Sequence, residues 1–306
     1  DPVNDIPEGW SLMQWINREI RARHPGKISI AEDLKGNEWL SKDDSAGGAG
    51  FHSQWDSSFV YPIRQALTAS DDAYRDMNSV SGAISRRYNN SAFERVIFTE
   101  SHDEVHRDGR VPEAIAPGDA GGRFAKKRST LGAALMFTAP GIPMLFQGQE
   151  FLESIGFDMS PDPSELDWNK VNTYGGILSM YRNLIRLRRN LSGTTGGFHG
   201  QYLNVYHVNN NDKLIAFHRW ENGGPRDDVI VVANFANRAY DSYTIGFPRA
   251  GLWKVRFNSD WNGYAPEFDN HLSYDTTTDA GARDGLPYGG NIGIGIYSVI
   301  ILSQDA

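Results

Sequence analysis

Ionisable residues collect at two strand-like ends of this sequence. In FERVIFTESHDEV, residues 93–105, an apolar run of Val96, Ile97 and Phe98 stops abruptly at Glu100, Ser101, His102, Asp103 and Glu104. In KISIAED, residues 27–33, a compact β-branched run stops at Glu32 and Asp33. Such groups transfer protons and hydrogen-bond polar substrates. A parallel α/β protein presents them where short buried strands end, at the C-terminal edge of the sheet. Either stretch alone reads more simply as a turn or a helix cap. The repetition of the same design favours a site.

The elements that must hold these residues follow a regular order. Ser11 with Gln14 fits a capping box, and Leu12, Trp15, Ile16 and Ile20 recur at helical spacing until Pro25-Gly26 stops them. Helix, short loop and strand 27–33 make half of a βαβ unit, so the strand should join a parallel sheet. A glycine-rich loop at residues 45–50 leads to FHSQWD, a second strand ending at Trp55 and Asp56. Helical segments are expected around 58–67 and 73–88, before the third strand. A long loop to about Gly122 follows it, then a helix over 124–138 whose Gly132, Ala133 and Ala134 permit close approach to a sheet. IPMLFQGQE reads as a fourth strand ending in Gln147, Gln149 and Glu150. A loop through SPDPSELDW precedes a helix with Ile177, Leu178, Tyr181, Leu184, Ile185 and Leu187 as its buried stripe. The RLRRN at its end suits the negative end of a helix dipole better than a nucleic acid.

After Leu191 the grammar changes. YLNVYHV, KLIAFHRW, DVIVVANFA, GLWKVRF and NIGIGIYSVIIL recur with no helix between them, and period-two alternation at Trp253, Val255 and Phe257 predicts an all-β sandwich. We therefore expect two domains, residues 1–191 and 192–306. The net charge of −8, with no basic stripe, argues against a nucleic-acid partner and is compatible with a neutral substrate. Eight Trp and 13 Tyr offer flat amphipathic faces that suit sugars as well as cores. No Cys is present, so there is no disulfide framework and no Cys-based zinc site. No apolar run approaches a membrane span, so no membrane partner is expected. DPVNDIPEGW carries no targeting pattern and reads as a start inside a loop, as if the chain were a piece of something longer.

Four parallel strands pose a problem, because a (β/α)8 barrel needs eight and an open sheet leaves unpaired edges. Either the α/β part is a small doubly wound domain, or it is the second half of a barrel. Composition and spacing leave both open.

SIAEDL, the TESHDEV turn, and GIPMLFQGQEF followed by SELDW resemble the late motifs of the α-amylase superfamily of glycoside hydrolases, and within it the 1,4-α-glucan branching enzymes. The resemblance runs from about Gly9 to Arg189, and an all-β C-terminal domain follows in the family too. It implies the C-terminal half of a (β/α)8 TIM barrel, about strands five to eight. It also implies that Glu32 is the general acid/base, protonating the leaving glycosidic oxygen and later deprotonating the acceptor. Asp103 is implied as the carboxylate that holds sugar hydroxyls and stabilises the oxocarbenium-like transition state, and His102 as a sugar contact at the cleavage point. A retaining mechanism of this kind pairs an acid of raised pKa with a nucleophilic carboxylate about 5–5.5 Å away.

The family's nucleophile is an Asp in a D-G-x-R-x-D motif on the fourth barrel strand, and no such motif occurs here. We accordingly expect the chain to need the missing N-terminal half of the barrel as a partner, and to be inactive alone. The implied substrate is an α-1,4-glucan such as glycogen or amylose, the implied setting is cytoplasmic glycogen metabolism, and no cofactor or metal is implied. Branching and amylase-type hydrolysis share all these residues and differ in how well water is excluded. A non-catalytic glucan-binding chain is the reading from another class. Asp33 and Glu104 are expected to act behind the site or in solvent, and Glu150 to be structural. Trp39 and Trp55 suit stacking on glucose, with core packing an equal option for Trp55.

Overall fold

The computed structural model describes residues 6–157 and 165–306, so the first five residues and residues 160–164 of the SPDPSELDW loop lie outside it. The first helix, α1 (Pro7–Arg23), starts four residues ahead of Ser11 because Pro7 occupies its first turn, where a missing N–H costs nothing. The capping box does not form. Ser11 Oγ donates to Pro7 O (3.0 Å), and Gln14 Nε2 donates to Gly48 O (2.9 Å) across to the next loop.

Four short strands, β1 (Ile30–Ala31), β2 (Ser53–Trp55), β3 (Arg95–Ile97) and β4 (Ile142–Pro143), pair in parallel in that order. Each is shorter than the apolar run that announces it, because the polar ends turn away to build loops. Their registers pair Ile30 with Ser53, Gln54 with Arg95 and Val96 with Ile142. Between β2 and β3 lie α2 (Ser57–Thr68) and α3 (Met77–Ser85). The helix expected from Ala73 begins later because the Asp76 carboxylate caps it, accepting from Asn78 N and Ser79 N.

The stretch from 99 to 122 is not a plain loop. It holds α4 (His102–Asp108) and α5 (Val111–Ile115), separated by Gly109 at φ 73°. Then α6 (Arg123–Thr138) runs buried on nearly every side. A β-carbon at Gly132 would come 2.5 Å from Leu67 Cδ1, so the small residue here admits a side chain of helix α2, where a sheet was expected. The last helices of this part are α7 (Lys170–Thr173) and α8 (Gly175–Arg188). The basic end of α8 has a structural job: buried Arg188 donates to Ala139 O (2.9 Å) and Phe137 O (3.3 Å), satisfying carbonyls at the end of α6.

The remainder is all-β: β5 (Tyr202–Asn209), β6 (Leu214–Trp220), β7 (Val229–Asn234), β8 (Tyr240–Phe247), β9 (Gly251–Asn258), β10 (Thr276–Arg283), β11 (Leu286–Ile294) and β12 (Ser298–Ser303). They pair in the single order β5-β6-β7-β12-β9-β10-β11-β8, so the two layers of the expected sandwich are one curled sheet. NIGIGIYSVIIL supplies two strands, broken at Tyr297 with φ 42°. β8 and β10 were not expected, since DSYT and TTTD lack an apolar run.

The inner face of the curl buries Leu214, Ala216, Ile230, Val232, Trp253 and Ile300. Its outer face, with Ile215, Phe217, Val231 and Ile301, packs in one core with Leu131 and Leu135 of α6 and Leu184 of α8. Covered on both sides, β7 and β12 read as unbroken apolar runs rather than alternating ones. A buried ion pair between Lys127 Nζ of α6 and Asp260 ties the two parts further. Among the described residues, no helix is long and apolar enough to cross a membrane.

Candidate active site

Parallel pairing puts the C-terminal ends of β1 and β3 on one edge of the sheet, and the residues that follow them meet there. His102 Nε2 stands 3.6 Å from a Glu32 carboxylate oxygen and 3.3 Å from Asp103 Oδ1. The three side chains are 52%, 42% and 54% exposed for Glu32, His102 and Asp103, so a ligand can reach all of them.

His102 opens α4, whose preceding residue Ser101 accepts Glu104 N at its hydroxyl (3.2 Å). Its ring stands edge-on to Trp55 (6.0 Å, 70°) and to Phe157 (6.4 Å, 81°). Trp55 leans in turn on Phe98 (5.1 Å), and Phe157 on Phe146 (5.7 Å). Trp55 therefore serves both the core and the wall of the site. Trp39 is exposed, with Lys42 Nζ 3.8 Å from its ring centroid.

Beneath this turn lies a buried polar layer that holds it in place. Glu100 Oε1 accepts Val111 N (2.6 Å), and Arg110 Nη1 donates to Glu100 Oε2 (3.2 Å) and Gln147 O (2.8 Å). Burial pushes the Glu100 carboxyl up, against the opposing pull of the Arg110 guanidinium and the Val111 N–H. Arg64 Nη1 donates to Thr99 O (2.9 Å) and Gln149 Nε2 to Thr99 Oγ1 (2.6 Å).

Glu104 is not solvated. Its side chain is fully buried, and Arg107 Nη2 donates to it (2.5 Å). Asp33 accepts Lys35 N (2.7 Å) in a local turn. Glu150 is only half-buried, and the anchoring of its loop belongs to Glu153. That carboxylate accepts the N–H groups of Ser154 (2.8 Å), Ile155 (3.0 Å) and Asp167 (2.7 Å), and Lys170 Nζ (2.6 Å). Burial alone would raise the Glu153 pKa, but these donors outweigh it and hold the group at about 2.

Phe157, Phe146, Arg110 and Glu153 escaped the sequence reading. A lone aromatic or charge in a loop carries no periodicity, and only the closeness of Phe157 to His102 reveals it. Sequence spacing also offered no metal cluster. In space, though, Glu32, His102 and Asp103 bring one potential ligand atom each within 4.8 Å of one another. Their exposure equally suits hydroxyl binding, and no step is assigned to an ion.

Residues 205–305 match the family model described as alpha amylase, C-terminal all-beta domain. The chain is 28% identical over 275 residues to the 1,4-alpha-glucan branching enzyme GlgB of Paramagnetospirillum magneticum, covering 86% of this chain and 35% of that protein. It is 30% identical over 269 residues to GlgB 1 of Xanthomonas euvesicatoria pv. vesicatoria, covering 82% and 34%. The chain thus spans about a third of the length of the curated relatives it matches. Among solved structures, a pullulanase from an Anoxybacillus species, complexed with maltotetraose, shares the fold with a TM-score of 0.66 at 19% identity, over 96% of this chain and 42% of that one. An alpha-amylase from H. orenii does so at 0.63 and 15%, over 97% and 57%. Residues 205–305 thus match the all-beta domain of alpha amylases, and most of the chain is similar in sequence to a part of the 1,4-α-glucan branching enzymes of the α-amylase superfamily.

Proposed function

We propose that this chain forms part of a retaining α-glucan-active enzyme of the branching type, which cleaves α-1,4 linkages and re-forms them as α-1,6 branches. The observation that carries the reading is the convergence of Glu32, His102 and Asp103 at one accessible sheet edge. In this reading Glu32 protonates the leaving oxygen and then takes the proton of the acceptor 6-hydroxyl. His102 and Asp103 hydrogen-bond the sugar hydroxyls more strongly as positive charge develops at the anomeric carbon. Edge-on contacts with Trp55 and Phe157 orient the His102 ring before substrate arrives.

Residues 1–191 would then be the second half of a (β/α)8 barrel, and 192–306 its all-β companion. The nucleophile-bearing strands would pair with β1. That strand has no outer neighbour among the described residues, and Ile30 lies 40% exposed on it. Leu12, Trp15 and Ile16 on α1 are exposed as well. We place the reaction in cytoplasmic glycogen metabolism, without a cofactor.

Incubating the chain with amylose, with and without a segment carrying the D-G-x-R-x-D strand, tests this. A fall in iodine colour with new α-1,6 signals by NMR is expected only with the segment. Turnover by the chain alone would sink the requirement for it. Release of reducing ends without α-1,6 signals would assign an amylase-type hydrolase instead. Glucan binding with no turnover in either mixture would leave the non-catalytic reading.

A further inference from the structure

A second aromatic surface lies on the all-β part. Loop 259–275, between β9 and β10, frames a cleft of about 370 Å³ with Trp261, Tyr264, Asn270, His271, Leu272 and Ser273 in its wall. That volume falls in the range of small-ligand sites. Trp261 is 49% exposed and Leu272 68%, so neither is there to fill a core. The Trp261 indole lies against Gly263, where any β-carbon would strike it, and stands edge-on to the Tyr264 ring (4.9 Å, 85°).

The loop is rigidly founded. Asp260, fully buried, accepts Asp269 N (3.2 Å), His271 N (3.1 Å) and the Lys127 ammonium. Tyr264 OH accepts Asn183 Nδ2 (2.8 Å), and the backbone at Tyr264 presses on Gly176 at the start of α8. Arg123 and Lys126, at the start of α6, pair with Asp269 and Glu267 of the same loop. An exposed indole held still by buried partners loses little freedom when a ligand stacks on it.

The lining also selects a chemistry. Its one permanently charged residue, Arg256, is engaged with Ser303 Oγ (2.8 Å) and Asp305, and His271 Nε2 with Tyr240 O (3.0 Å), which leaves the Asn270 amide and the Ser273 hydroxyl beside an aromatic face. That combination suits a neutral pyranose, with C–H groups on the indole and hydroxyls on the polar rim. The first turns of α6 and α8 lie at the sheet end where the strands finish, because helices return antiparallel to the strands of a βα unit. The cleft is fastened to those turns, so it sits toward the same end as Glu32 while sharing no residue with it.

We propose that the Trp261 cleft is a second carbohydrate site, which holds an α-1,4-glucan strand outside the Glu32 site. The choice of α-glucan as ligand rests on the proposed function; the cleft does not. Titrating the full 306-residue chain with maltoheptaose, by calorimetry and by indole N–H NMR shifts, tests it. The expected result is a shift of the Trp261 signal, and binding weakened at least tenfold in Trp261→Ala. Asn270→Gly, which keeps the left-handed backbone at φ 50° and removes only the amide, should weaken binding severalfold with unaltered thermal unfolding. Binding unaffected by both cleft variants, or no maltoheptaose binding at all, would overturn the proposal. Either result leaves turnover by the reconstituted enzyme, and hence the role of Glu32, to be judged separately.

Discussion

His102 Nε2 faces two carboxylates, Glu32 at 3.6 Å and Asp103 at 3.3 Å, although Glu32 belongs to a strand end far upstream in the chain. One imidazole between two acids can hold only one of them by its proton at a time. The other carboxylate stays available to a ligand hydroxyl. In the reconstituted enzyme, Glu32→Gln and Asp103→Asn should each lower kcat by about a thousandfold or more, within the range of lost acid–base and charge-stabilising groups. His102→Ala should cost about 10–100-fold, the worth of a hydrogen bond to a developing charge. All three side chains are exposed, so thermal unfolding of the variants should match the parent. Full activity in Glu32→Gln would remove it from the mechanism.

Glu153 makes stability depend on acid. Its ordinary pKa of 4.5 is lowered to about 2 in the folded chain, so the unfolded chain takes up this proton first as pH falls. The stabilisation it provides is complete above about pH 4.5 and disappears as pH drops through about 2. Glu153→Gln should be less stable at neutral pH and show a flatter acid limb between those values. Melting curves recorded from pH 2.5 to 7 check this, and parallel curves for parent and variant would refute it.

Lys127 and Asp260 form an ion pair with almost no solvent exposure. Removing only the cation, as in Lys127→Met, leaves a buried charge and should cost about 3–5 kcal/mol in urea unfolding. Asp260 keeps backbone donors from Asp269 and His271. The double variant Lys127→Met, Asp260→Asn should therefore recover part of the loss.

Gly176 is the point where α8 meets the Tyr264 backbone. A methyl group there would collide with the Tyr264 carbonyl, which cannot swing aside as a side chain would. Gly176→Ala should destabilise by about 1–3 kcal/mol, despite the better helix propensity of alanine. A rise in melting temperature would show that the loop yields.

Much of this was legible in the sequence. Strand ends at Glu32 and His102, the α6 and α8 helices and the apolar runs of β7 and β12 all announce themselves by period or composition. What stayed hidden has physical reasons. Ser11 looks like a cap, but Pro7 starts α1 earlier. α4 and α5 are too short for a periodic stripe and are stabilised by buried polar contacts such as Glu100 with Val111 N and Arg110. β8 and β10 present polar faces outward. Glu104 and Arg188 are charged residues that the fold buries, and charge alone reads as surface.

Because α6 packs on α2, α5 and α8 on one side and on β7 and β12 on the other, the glycine- and threonine-rich stretch at 192–197 is not expected to act as a hinge. A protease nick within it should yield two fragments on a denaturing gel that still co-elute in gel filtration. Expressed separately, each half would expose one wall of the same interior. Neither should remain in solution without the other.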